Sequence, residues 1–191
     1  TQEHYRHCYR YGILRPFEED LRLPDGEGMD RFMLDSILRT HLREILLRYL
    51  GPSLSMLVPS THIRRQSPSQ EHRPVPYHQD SSVMRLTDVT ILNFWFPLER
   101  AGVDAPSVEV IPKALDELLP FGEDADPGVL YSNLEISESR VQERLGGCTP
   151  WRPVMHPGDV LILQSRTVHR THMTSEMHKG RMDFELRFCR R

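Results

Sequence analysis

The chain has 191 residues, 38% of them hydrophobic and 27% charged, with a formal net charge of −3. That length suits one domain with its own core, the slightly acidic balance lacks the basic footprint of a nucleic-acid binder, and no run approaches the roughly 18 apolar residues of a membrane span. Cys8, Cys148 and Cys189 are odd in number, widely spaced and without a C-x-x-C pair, which argues against a disulfide framework or a cysteine-zinc site and fits a reducing, cytoplasmic compartment.

The opening TQEHYRHCYR has neither an initiator methionine nor a signal-peptide pattern, so the true N-terminus is expected upstream. Residues 1 to 29 are polar and irregular, with LPDGEG as a loop. A helix is expected from Asp30, its cap, to the Gly51-Pro52 stop. Leu34, Ile37, Leu38, Leu42, Ile45, Leu46 and Tyr49 recur at helical spacing and form its buried face, while Arg39, Arg43 and Arg48 lie away from it. After Pro52 strands dominate: LSMLVPSTHIRR, then a polar proline-rich loop, then the β-branched and aromatic VTILNFWFPL and the short PSVEVIP. Residues 113 to 150 are mixed, with brief helical stretches at ALDELL and SESRVQERL, and CTPWRPVMHP follows as a short strand or loop. DVLILQ, TVHRTHM and RMDFELRF read as three closing strands. The order implies a single mainly β domain with helical cover: an N-terminal loop and helix over 1–52 and a sandwich or barrel over 53–191, with the jelly roll preferred to a smaller α+β fold.

Ten histidines raise the question of a metal. In VPYHQD, His78 and Asp80 are two apart, and on a strand both would point to one side with Gln79 turned away. Two histidines and one carboxylate on one face of an iron leave positions open for a co-substrate and oxygen. A lone H-x-D is equally a solvated loop pair, so a third ligand must come from elsewhere. The late segment offers His169, His172 and His178. There PGDVLIL turns into an apolar strand, His169 follows a short loop, Thr171 shares its face, and Arg181 opens the next strand, where it is either a surface charge or a fork for a carboxylate.

With these elements in order, the sequence resembles the phytanoyl-CoA dioxygenase family of Fe(II)/2-oxoglutarate oxygenases. VPYHQD, LNFWFPLE, SVEVIPKAL, PGDVLILQSRTVHRTHM and GRMDFELRF carry the resemblance over about residues 50 to 190. It implies a double-stranded β-helix, with iron bound by His78, Asp80 and His169. It implies that 2-oxoglutarate and O2 take the open positions, the distal carboxylate of 2-oxoglutarate being held by Arg181 and the Thr171 hydroxyl. Trp95 falls on the family's tryptophan that lines the co-substrate pocket, although a plain core aromatic fits it too. The activity implied is oxidation, foremost hydroxylation, of a small-molecule C–H bond with release of succinate and CO2. Asp80 as a carboxylate ligand argues against halogenation. The chain departs from the family where Lys113-Ala114-Leu115 replaces a G-S-H turn, where VDAPSVEV replaces a glycine-rich stretch, and where HMTSEMH replaces a proline-asparagine pair. Two other classes stay open: a catalytically inactive binding relative, and a cupin-type hydrolase or isomerase.

If Arg181 points inward, Asp183, Glu185 and Arg187 follow it, and Met182, Phe184, Leu186 and Phe188 form an outer face for the helix to cover. Of the other histidines, His62 is expected as a hydrogen-bonded strand residue and His156 as a turn residue. His172 and His178 are expected on loop surface, and His4, His7, His41 and His72 at the periphery.

Overall fold

The structure, a computed structural model, describes residues 13–14, 37, 39–57, 62–69, 73–84, 86, 88–122 and 134–190. In chain order these residues form β1 (Ile13–Leu14), α1 (Leu42–Leu50), β2 (Leu54–Met56), β3 (His62–Gln66), α2 (Asp80–Met84), β4 (Ile91–Pro97), β5 (Ser107–Val110), α3 (Glu138–Leu145), β6 (Leu161–Gln164), β7 (His169–His172) and β8 (Arg181–Arg190). The main antiparallel sheet runs β1-β3-β8-β4-β6, with β2 on the far end of β8, and β5 pairs with β7 in a second sheet. Trp95, Leu161 and Leu163 of the first sheet pack with Val108 and Val110 of the second, so the two sheets face each other. No helix among the described residues is long and apolar enough to cross a membrane.

The strand at the centre of the main sheet is β8. Its register sets Arg181, Asp183 and Glu185 opposite Gln66, Arg64 and His62 of β3, and Glu185 and Arg187 opposite Trp95 and Asn93 of β4. Arg181, Asp183, Glu185 and Arg187 are all buried on this inner face. Leu186 and Phe188 point the other way, into a core with Leu46 and Leu50 of α1 and Leu92 and Phe94 of β4. Phe94 meets Phe188 edge-on at 5.7 Å, and Phe96 stacks on Phe184 at 5.9 Å. The alternation expected for RMDFELRF and its helical cover are therefore both present.

Several local expectations change. The expected first helix is interrupted: Ile37 is helical, residues 39–41 form a turn, and α1 runs from Leu42. There the Thr40 hydroxyl donates to the Ile37 carbonyl at 2.8 Å and accepts the Leu42 N–H at 3.2 Å, a local arrangement that competes with helix continuation. Asp30, its expected cap, lies outside the described residues, as do Leu34, Leu38, His4, His7 and His72. Ile45 and Tyr49, expected on the buried face, are exposed. The stop at Gly51 stands: its φ is 83°, which favours glycine, and its N–H closes on the Leu47 carbonyl at 3.0 Å. LSMLVPSTHIRR holds two strands, β2 and β3, rather than one. ALDELL is not helical, and SESRVQERL is α3, capped by Ser137. The turn before β6 has Pro157 and Gly158 at its centre, Gly158 at φ 101°, and the Asp159 N–H on the His156 carbonyl at 3.0 Å.

Phe188 is fully buried and shared between α1 and the sheet. Phe188→Ala should lower unfolding stability by about 3–5 kcal/mol, read from urea denaturation midpoints at unchanged slope. A loss under 1 kcal/mol would contradict this packing.

Candidate active site

His78 and His169 are brought together by backbone first. They form an isolated antiparallel bridge, the His78 N–H on the His169 carbonyl at 3.0 Å and the reverse bond at 3.2 Å. Their rings lie 4.3 Å apart between centroids. Each ring uses Nδ1 in the same way: His78 bonds the Pro76 carbonyl at 2.8 Å, and His169 the Thr167 carbonyl at 2.9 Å. A carbonyl only accepts, so both Nδ1 atoms carry the proton and both Nε2 atoms keep the lone pair a metal needs.

Asp80 joins them by a different route from the one expected. His78 ends the strand-like segment and Asp80 is the first residue of α2, so strand alternation is not what aligns the two side chains. The chain turns between them, and Gln79, fully buried, holds the turn. Its amide donates to the carbonyls of Arg166 at 2.7 Å and Glu117 at 3.1 Å, and its oxygen accepts the Leu119 N–H at 2.8 Å. The outcome matches the expected convergence: one ligand atom each from His78, Asp80 and His169 lies within 4.8 Å of the others, all three residues buried.

The Asp80 carboxylate is oriented from the main sheet. Asn93 Nδ2 donates to Oδ2 at 3.1 Å, and Arg187 reaches Oδ2 through Nε at 3.2 Å and Oδ1 through Nη2 at 3.4 Å. Arg187 also pairs with Glu185, which lies 3.4 Å from His62 Nε2 and 3.6 Å from Arg64 Nε. Three buried arginines, Arg64, Arg181 and Arg187, thus face three buried carboxylates, Asp80, Asp183 and Glu185.

Arg181 is 2% exposed, so it is not a surface charge. Nε donates to the Pro106 carbonyl at 2.8 Å, the guanidinium lies 4.9 Å from the Trp95 ring centroid, and Asp183 pairs with it. Thr171 Oγ1 accepts the Val75 N–H at 3.1 Å, which leaves the hydroxyl proton to be donated. His78, His169, Thr171, Trp95 and Arg181 all line one cleft, together with Arg64, Asn93 and Arg187. Three buried atoms in that lining, Arg64 Nε, Asn93 Oδ1 and Arg181 Nη1, have no hydrogen-bond partner, though both arginine atoms face a carboxylate, which leaves Asn93 Oδ1 as the unmet one. The donor set of two imidazoles and a carboxylate, with a polar atom unmet beside it, fits a divalent metal with a further anionic ligand.

Electrostatics keep the ligands in binding form. Burial first, then His169, push His78 down to about 3, with Asp80 pulling the other way. Burial pushes the Asp80 carboxyl up, but Arg187, His169 and His78 outweigh it and hold it below the usual range. Burial, reinforced by Arg64, lowers Arg181 to about 9.

His62 is a buried strand histidine tied to Glu185 and Arg64, as expected. His172 alternates away from His169 and Thr171 on β7, and His41, His156 and His178 are exposed. The sequence reading assigned no role to Asn93, Arg64, Gln79 or Arg187. Asn93 carried a signal, a lone polar residue inside the apolar ILNFWF, and Arg187 shared a face with Arg181.

No family model matches the chain, and no curated protein matches it. Solved structures do. EvdO2 from Micromonospora carbonacea var. aurantiaca, complexed with 2-oxoglutarate, superposes with a TM-score of 0.61 at 18% identity, covering 85% of this chain and 64% of that one. The epimerase SnoN from nogalamycin biosynthesis, in complex with Fe3+, alpha ketoglutarate and nogalamycin RO, gives 0.53 at 13%, covering 84% and 59%. The non-heme alpha ketoglutarate dependent carbocyclase SnoK gives 0.56 at 14%, covering 100% and 84%. The chain spans less than two thirds of the length of EvdO2 and SnoN. These likenesses show the fold, a jelly roll shared with these structures, with the antiparallel sheets described above.

Because His78 and His62 are both lowered by burial, the unfolded chain binds more protons than the folded one below about pH 6.5. The lowered Asp80 acts in the same direction in its own acid range. The metal-free protein should therefore lose stability steadily as pH falls from 6.5 towards 3, and His78→Gln should flatten that slope. Denaturant midpoints across pH measure it, and a pH-independent wild type would contradict the buried neutral imidazole.

Proposed function

We propose that the chain is an Fe(II)- and 2-oxoglutarate-dependent dioxygenase, of the phytanoyl-CoA dioxygenase-like kind, that hydroxylates a C–H bond of a small metabolite or natural-product intermediate. The observation that carries this reading is a cleft lined by His78, His169 and the buried Arg181, with the Asp80 carboxylate at ligating separation from the two histidines. EvdO2 and SnoN, both of this fold, are described with 2-oxoglutarate bound, SnoN with iron as well. In the overall reaction one oxygen atom of O2 enters the product alcohol and the other enters succinate, with CO2 released.

Each side chain has a task in this reading. The Nε2 atoms of His78 and His169 and one oxygen of Asp80 would hold the iron. Bound iron and 2-oxoglutarate supply the oxidising chemistry. Arg181 anchors the distal carboxylate of 2-oxoglutarate, its fork oriented by the Pro106 carbonyl and by Trp95. Thr171 donates its hydroxyl proton to the same carboxylate. Val108 and Leu163 line the cleft as apolar walls, which keeps water from the reacting centre. Arg187 and Asn93 hold Asp80 in one rotamer, so the third ligand does not swing away. With Asp80 in the third ligand position, the reading favours oxygen insertion over halide transfer.

His78→Ala and Asp80→Ala should each abolish iron-dependent conversion of 2-oxoglutarate to succinate while near-native circular dichroism is retained. Turnover persisting in both variants would overturn the reading, and so would a wild type that binds neither Fe(II) nor 2-oxoglutarate. Arg181→Lys keeps the charge and loses the fork. It should raise the KM for 2-oxoglutarate about tenfold, with a smaller change in kcat. An unchanged KM would remove Arg181 from the co-substrate site.

A further inference from the structure

A second polar cluster lies beside the two histidines. Its centre is Glu109 of β5, 0% exposed. The Glu109 carboxylate accepts the Tyr77 hydroxyl, Arg152 Nε, and Arg170 Nε at 2.7 Å. The Arg170 guanidinium lies 4.2 Å from the Tyr77 ring centroid and reaches on to Glu138 at the start of α3. Val108 and Thr171 line the cleft. Glu109 and Arg170 are next to them in sequence and opposite each other in the β5–β7 register; Glu109 is absent from the cleft lining, and Arg170 reaches its edge.

Two of the three partners flank the candidate ligands. Tyr77 precedes His78, and Arg170 follows His169. His78 and His169 come from distant parts of the chain, and their segments meet in an isolated bridge of two hydrogen bonds, with two more between Val75 and Thr171. A metal site tolerates only about 0.5 Å of misplacement, and the bonds between the two segments align their backbones without tying the flanking side chains to each other. Apolar packing between the same strands would hold them together without fixing direction. A buried carboxylate is costly to desolvate, but it receives directed, charge-assisted bonds from both segments at once.

We propose that Glu109 is a positioning residue for the metal centre: its carboxylate ties Tyr77 to Arg170 and so holds His78 and His169 at ligating separation. This rests on His78, Asp80 and His169 being metal ligands. The charge states suit a permanent tie. Burial, then the bond to Glu109, pushes the Tyr77 hydroxyl up to about 12, so it remains a donor. Burial pushes the Glu109 carboxyl up, but its bonds from Tyr77, Arg152 and Arg170 leave it below the usual range.

The test uses Glu109→Gln and Tyr77→Phe, with Arg152→Ala as control, because Arg152 shares the carboxylate but flanks no ligand. Two quantities are read: Co(II) affinity with its d–d spectrum, and amide hydrogen exchange of metal-free protein at His78 and His169. The comparable Ala101–Met155 bridge serves as internal reference. Glu109→Gln should weaken Co(II) binding about tenfold, alter the spectrum, and speed exchange at the histidine bridge but not at the reference. Tyr77→Phe should give a smaller change of the same kind, and it decides the matter if Glu109→Gln does not fold. Arg152→Ala should change neither quantity. Folded variants with Co(II) affinity within twofold of wild type and unchanged exchange would overturn the proposal, as would an equal loss in Arg152→Ala. A wild type that takes up no Co(II) refutes the metal reading instead, and the exchange measurement on metal-free protein then decides whether Glu109 ties the two segments.

Discussion

Along β8, charged and apolar side chains alternate, and this one strand divides the molecule into a dry side and an ionic side. Leu186 and Phe188 anchor α1 against the sheet, while Arg187 orients Asp80 and Arg181 lines the cleft. The ionic side is stable only because its charges are matched. Arg64, Arg181 and Arg187 lie among Asp80, Asp183 and Glu185, and the low dielectric that makes a lone buried charge prohibitive also makes a matched set rigid. In the proposed reading a divalent metal would add two positive charges to this balance and a dicarboxylate would remove them, so cleft and ligands together would stay near neutrality.

Much of this was legible in the sequence. Period-two patterning in RMDFELRF sets Arg181, Asp183, Glu185 and Arg187 on one face without saying which face is inner, and the apolar positions Leu42 and Leu46 supply the cover for the opposite one. The three candidate ligands were named from spacing and from resemblance, and they converge. What did not follow was the path of convergence. H-x-D reads as strand alternation, yet Asp80 begins a helix, because the hydrogen bonds that turn the chain come from Gln79 to residues 117, 119 and 166. Long-range bonds of that kind leave no periodic trace. Ile45 and Tyr49 failed for a related reason: helical spacing identifies a stripe, but how wide a stripe the neighbouring sheet covers is a tertiary fact.

His78 and His169 share one local device. Each uses Nδ1 to bond the carbonyl two residues before it, so each ring is fixed in tautomer and tilt by its own backbone. The carboxylate, in contrast, is fixed from outside by Asn93 and Arg187. The site therefore draws its imidazole geometry from local chain conformation and its carboxylate geometry from the main sheet. The two contributions are separable in their sensitivity: loop distortion acts on the imidazoles, and sheet distortion acts on Asp80.

The position of β8 in the chain has a bearing on how the molecule is made. It follows β2, β3 and β4 in sequence, yet it is the strand on which all three pair. During synthesis the earlier strands leave the ribosome with their shared partner still to come, so sheet closure waits for the last element. Contacts of high sequence separation form slowly, and until they form, β3 and β4 present unpaired backbone edges. The nascent chain is thus most exposed to misassociation in the interval between the emergence of β4 and that of β8, and Asp80 gains its arginine only when that interval ends.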